Sequence, residues 1–229
     1  MRARKNNSKK LTVVLLSVIL VLCCTIGGTL AWLKDSTETV TNTFTVGNID
    51  IELDESKLND DGTLNTANRV KENSYKMVPG VVVNKDPKVT VKANSEACWV
   101  FIEVTEEIGI TGKTVSNYLS YTVDNTVWTK VDGETNVYYA TVNATDAKAG
   151  KELNIITDKK VTVNSTVTKE MMDAFDVDKN GTLSEEEQKA FPTLKFVAYA
   201  IQSDYLTQDG ETTVITEAAD AWALAKSTT

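Results

Sequence analysis

The sequence predicts a mainly β fold: a jelly-roll-like antiparallel β-sandwich with a small helical insertion and a short C-terminal helix. Three features carry that expectation. Apolar and polar residues alternate over several short runs, and Thr, Val, Tyr, Phe and Trp dominate those runs. Turn signals separate them, as in "VDGET". Successive side chains of a strand point to opposite faces, so an alternating run can bury one face and leave the other in water.

The first such run is "TNTFTVGNIDIEL". Phe44 and Val46 alternate there with Thr43 and Thr45, then Ile49, Ile51 and Leu53 with Asp50 and Glu52. "KVTVKA" and "CWVFIEVTE" follow; in the second, Trp99 and Phe101 fall on one side and Val100, Ile102 and Val104 on the other. "NTVWTKVDGETNVYYATV" predicts a hairpin turning at Asp132 and Gly133. "LNIITDKKVTV" and "TLKFVAYAIQ" add further strands. Helix is expected only beside one acidic loop, within residues 167–191, and in "TEAADAWALAK", residues 216–226, where Trp222 packs it onto the sheets. Many short strands joined by turns indicate a sandwich or jelly roll. No linker rich in Pro, Gly or Ser interrupts them, so a single folded domain is expected.

The N-terminus sets the compartment. "MRARKNNSKK" carries five basic residues and no acid, and an apolar run ending in Thr29-Leu30-Ala31 follows it. That order reads as a secretory signal peptide, residues 1–31, with the mature domain at 32–229. A run of about 20 apolar residues could also span a bilayer as an uncleaved anchor; the small-residue ending favours cleavage. Cleavage leaves 19 basic against 32 acidic residues, a net charge of −13. So acidic a surface disfavours nucleic acid and membranes and attracts divalent cations. Contact with the membrane is expected only through the signal segment. The mature domain keeps a single cysteine, Cys98, within an alternating apolar run, so it is expected to be a buried small hydrophobe with no disulfide.

One stretch departs from strand patterning: "DVDKNGTLSEEE", residues 176–187. An EF-hand loop presents oxygens at positions 1, 3, 5, 7, 9 and 12, with Gly at 6 for the sharp turn. Here these are Asp176, Asp178, Asn180, Thr182 through its carbonyl, Ser184 (directly or through a water) and Glu187, with Gly181 at the turn and Leu183 as apolar anchor. Val167, Met171, Met172 and Phe175 can share a helical face before the loop, and Pro192 stops the short helix after it. Only this alternation aims several oxygens at one point, so the expected ligand is Ca2+. No second loop of this pattern exists, and a lone hand is expected to bind weakly, with Kd about 10⁻⁴ to 10⁻³ M, as in extracellular modules.

Other motifs carry a likeness. Thr29, Ala31, Asp35, Asn42, Phe44, Gly47 and Ile49, then Pro79, Gly80, Lys85, Asp86 and Pro87, and a late strand from Phe196 to Leu206, resemble the TasA/camelysin family of Gram-positive bacteria. The resemblance implies export through a dedicated SipW-type signal peptidase and a jelly-roll sandwich at the cell surface. It also implies relatives that build extracellular biofilm matrix fibres. In such relatives the N-terminal strand of one subunit completes the sheet of the next; residues 35–44 are the candidate here. The acidic loop departs from the family pattern, so it is read on its own chemistry.

An enzyme is not expected. The chain has no histidine, which removes the His-Glu-x-x-His zinc site and Ser-His or Cys-His nucleophile systems. The functional expectation is a secreted, calcium-binding surface or matrix protein that self-associates or joins other surface proteins. The alternative is a calcium-dependent module binding protein or polysaccharide.

Overall fold

The computed structural model describes residues 48–179, 184–206 and 212–227. The signal segment expected at residues 1–31 and the donor strand expected at residues 35–44 lie outside the described residues. The strands are, in chain order, β1 (Ile51–Leu58), β2 (Leu64–Val70), β3 (Val82–Asn84), β4 (Lys88–Val91) and β5 (Cys98–Glu107). Then come β6 (Leu119–Ser120), β7 (Thr129–Lys130), β8 (Val137–Val142), β9 (Lys151–Asn154) and β10 (Lys160–Val163). The last are β11 (Thr193–Gln202), β12 (Asp204–Leu206) and β13 (Thr212–Val214). Among the described residues four α-helices join them: α1 (Ala144–Ala149), α2 (Lys169–Asp173), α3 (Glu185–Gln188) and α4 (Ala218–Ser227).

Antiparallel sheets in the orders β2-β1-β4-β9, β3-β10-β6 and β11-β5-β8-β7 build the body, beside the hairpin β12-β13. The alternation read in "CWVFIEV" is resolved into two buried faces. Cys98, Val100 and Ile102 of β5 pack with Val89 and Val91 of β4, Leu153 of β9 and Val161 of β10, filling the space between sheets. Trp99 and Phe101 face the other way, where Ala221, Trp222 and Ala225 of α4 cover them. The Trp222 ring lies 5.3 Å from Phe101 and edge-on to Tyr199 at 5.1 Å, and its Nε1 donates to Glu134 Oε1 at 3.0 Å. The expected role of Trp222 is borne out, and α4 begins two residues later than predicted.

The predicted hairpin also forms: β7 pairs with β8, and Gly133 at the turn holds φ +80°. The run "LNIITDKKVTV" is two strands, β9 and β10. They are split by a short 3₁₀ turn at Thr157–Lys159, in which Asp158 and Lys159 have positive φ. Helix α1 went unforeseen. Asn143 caps it by accepting from the Asp146 amide at 2.9 Å, and Gly150, φ +92°, ends it. It buries only Ala147, so it leaves no helical periodicity to read.

Buried charge ties the first sheet together. Asp86, 3% exposed, accepts from the Ser56 amide and hydroxyl, both at 2.7 Å, and from Arg69 Nη1 at 3.0 Å. Arg69 also reaches Asp54 Oδ1 at 2.7 Å, which anchors β2 to β1. Beside this network Glu55 accepts from Lys85 Nζ at 2.8 Å and from the Tyr75 hydroxyl at 3.1 Å. Each buried carboxylate is thus paired, the condition under which a charge survives in a low-dielectric interior.

Cys98 is buried as expected, and burial pushes its thiol pKa up to about 11. Only the thiolate attacks a disulfide reagent, so at pH 8 about a thousandth of the native thiol is reactive. With Cys23→Ser and Cys24→Ser removing the other thiols, labelling of the native chain at pH 8 should run at least about a hundredfold slower than in urea. It should accelerate as pH rises toward 11. Equal native and unfolded rates would show that β5 opens freely.

Candidate metal centre

The chain leaves the sandwich at the end of β10 and re-enters it at the start of β11; between them lie α2, the acidic loop and α3. Helix α2 starts where Thr168 Oγ1 accepts from the Met171 amide at 3.3 Å, and a Lys169–Asp173 pair spans its single exposed turn. Val167 and Phe175, on either side of α2, are buried with Tyr118 and Val163. The Phe175 ring lies 5.5 Å from Tyr118 and stacks on Phe191 at 4.4 Å. Phe175 immediately precedes the loop and Phe191 follows α3, so one ring stack ties both ends of the loop together. Such contacts contribute about 0.5–1.5 kcal/mol each beyond area burial. The Tyr118 hydroxyl is buried with no hydrogen-bond partner among the described residues, and burial raises its pKa.

A backbone clamp secures the return to β11. The Gly109 amide, just past β5, donates to the Ala190 carbonyl at 2.9 Å. A Cβ on Gly109 would lie 2.6 Å from Ala190 Cβ, so only glycine admits this approach.

Within the loop, Asp176, Asp178 and Glu187 each place a carboxylate oxygen within 4.8 Å of the others. Asp176 and Glu187 are half-buried and Asp178 is exposed. Glu187 Oε1 accepts from the Val177 amide at 2.7 Å and the Asp178 amide at 3.4 Å, and Oε2 from the Ser184 amide at 2.9 Å and hydroxyl at 2.7 Å. The Glu187 amide returns a bond to Ser184 Oγ at 3.3 Å, completing a reciprocal Ser-x-x-Glu cap at the start of α3. These donors, the Ser184 amide foremost, lower the Glu187 pKa. Lys179 takes positive φ, 55°, and turns the chain after Asp178.

Of the six residues predicted as ligands, three are brought together as carboxylates. Ser184 sits beside them on Glu187. Asn180 and Thr182, like Gly181 and Leu183, lie outside the described residues. The sequence reading missed the amides of Val177 and Asp178 as holders of Glu187, although the Ser184-x-x-Glu187 spacing was itself a cap signature. The Gly109 clamp has no sequence signal, because its partner is distant in the chain. The donor set fits a hard cation. Calcium takes oxygens at about 2.3–2.6 Å, so oxygens up to about 5 Å apart can share one ion. All three donors are carboxylates, which suits calcium or magnesium and supplies neither the thiolate nor the imidazole typical of zinc.

A family model described as camelysin metallo-endopeptidase matches residues 6–81. The resemblance read from the N-terminal motifs therefore holds over that segment, of which β1, β2 and the turn at Pro79 and Gly80 are described. The acidic loop lies outside it. Neither a curated protein nor a solved structure matches the chain.

The clamp can be tested directly. Gly109→Ala forces Ala190 away from β5, and overpacking of this kind costs about 1–3 kcal/mol. The urea midpoint should fall accordingly, and proteolytic nicking between residues 176 and 187 should quicken. An unchanged midpoint would mean that the return to β11 is not held here.

Proposed function

We propose that this chain, matched to the camelysin family over its N-terminal third, is an exported cell-surface or biofilm-matrix structural protein of a Gram-positive bacterium. In this reading an EF-hand-type loop binds Ca2+, and subunits polymerise by N-terminal strand donation. The observation that carries the calcium reading is the convergence of Asp176, Asp178 and Glu187 in a loop whose ends are already tied together. Asn180, Thr182 and Ser184 would complete the ligand set. When bound, calcium supplies charge neutralisation among the carboxylates. A ligand selective for the folded state at about ten times its Kd adds roughly 1.4 kcal/mol of stability.

The structural rather than catalytic role is supported by the donor chemistry. The family description names a metallo-endopeptidase. This chain has no histidine to hold zinc in the usual manner, and its one cysteine in the mature domain is buried in the core. Export is supported by the basic-then-apolar N-terminus, and polymerisation by residues 35–44, whose alternation suits addition to a sheet edge. A head-to-tail contact of that kind does not close on itself and therefore builds filaments.

Two measurements test this. Millimolar calcium should raise the melting temperature of the wild type and leave Glu187→Ala unmoved; equal shifts in both would place any metal elsewhere. Residues 32–229 should form filaments visible by electron microscopy, and removal of residues 32–44 should leave monomers. Filaments from the shortened chain would refute strand donation.

A further inference from the structure

A cavity of about 520 Å³ opens between the segment after β2 and the two ends of the inserted helices. Its walls come from Asn73–Met77, from β3 and β10, and from Met172, Gln188 and the first residues of β11. That volume is in the range of sites for small organic ligands. The lining is divided. Met77, Val163, Met172, Phe191 and Leu194 are its apolar members; Lys76, Lys85 and Tyr75 are among its polar ones, with the Lys85 ammonium against the Tyr75 ring.

The charge is the informative part. Acids outnumber bases 32 to 24 in the chain, yet the described lining contains two lysines and no carboxylate. Lys85 is held in place from behind: Glu55 takes one of its donors at 2.8 Å, and the ammonium sits 4.8 Å from the Tyr75 ring centroid. An ammonium has three donors, so two remain for another acceptor. Lys76 is exposed and has no ion-pair partner among the described residues.

We infer that this cavity binds an amphipathic monocarboxylate, with the carboxylate at Lys76 and Lys85 and an unbranched apolar tail along Met77, Met172 and Leu194. The carboxylate can accept from the exposed Lys76 and from the remaining Lys85 donors, and the tail gains from leaving water at about 25 cal/mol per Å². The cavity borders the acidic loop at Gln188 and Phe191, but none of the described residues of the loop lines it, and binding does not require calcium there.

Methionine makes the test local, because Met77 and Met172 line the cavity. The full chain, labelled with ¹³C at the methionine methyl groups, is titrated with decanoate and separately with decanol. Saturable shifts of Met77 and Met172 are expected. Decanol, and decanoate with Lys76→Glu, should each need about fivefold more ligand for half-saturation, the scale of an exposed charge pair. No selective shift, or the same midpoint for the acid, the alcohol and the variant, overturns the proposal. Lys76 is on the surface, so Lys76→Glu leaves the fold intact.

Discussion

Strand β5 pairs with β11 along all ten residues, from Cys98 opposite Gln202 to Glu107 opposite Thr193, and with β8 from Cys98 to Glu103. Both of its faces are covered. A slip of one residue would exchange Cys98, Val100 and Ile102 for Trp99 and Phe101 and drive large rings between the sheets. Its register is therefore fixed, and so is the point at which β11 begins. The insertion must return to a place opposite Glu107, and Gly109 lies two residues beyond that place, against Ala190. The position of the acidic loop is in this sense a consequence of the core, because the strand that receives it has no freedom to move.

A second constraint is electrostatic. Lys85 and Asp86, part of the family-like motif, are the partners of buried Glu55 and of Ser56 and Arg69, Lys85 half-buried and Asp86 buried. Pro87 then presents its carbonyl to the Ile155 amide at 3.0 Å. The motif is thus a structural one: it fixes β2 and the segment after it to the sandwich. Removing one member of such a group leaves an uncompensated charge, which costs more than the pair contributes. The same anchoring sets Tyr75 and Lys85 at the edge of the cavity, so core electrostatics and surface chemistry share residues.

What could be read from sequence follows from the range of the interactions. Period-two alternation is local, and it placed β4, β5, β8, β10 and β11. The helical run around Trp222 was legible for the same reason. "LNTANRV" was missed as strand β2 because its polar residues are satisfied by pairing with β1 and carry no apolar alternation. At the site, ligand types were legible because coordination imposes a spacing on neighbouring residues. The groups that hold the loop, Tyr118 under Phe175 and Gly109 against Ala190, are far apart in sequence, and no short pattern announces them.

The internal bonds of Glu187 change how a lone loop should be viewed. Carboxylates brought within 4.8 Å repel one another, and a loop without a paired hand would be expected to open. Here the donors on Glu187 come from both halves of the loop, Val177 and Asp178 near its start and Ser184 near its end, so one side chain closes the ring. The stack of Phe175 on Phe191 closes it again from outside. Much of the closure entropy is met by the protein itself, and that cost grows only as (3/2)RT ln n with loop length. A cation entering such a loop spends less on ordering it, and preorganisation of this kind raises affinity without adding a ligand. It also sets a competition, because the amides that now hold Glu187 must share it with any ion. The balance between the two, rather than the ligand count alone, determines how tightly a single unpaired loop can bind.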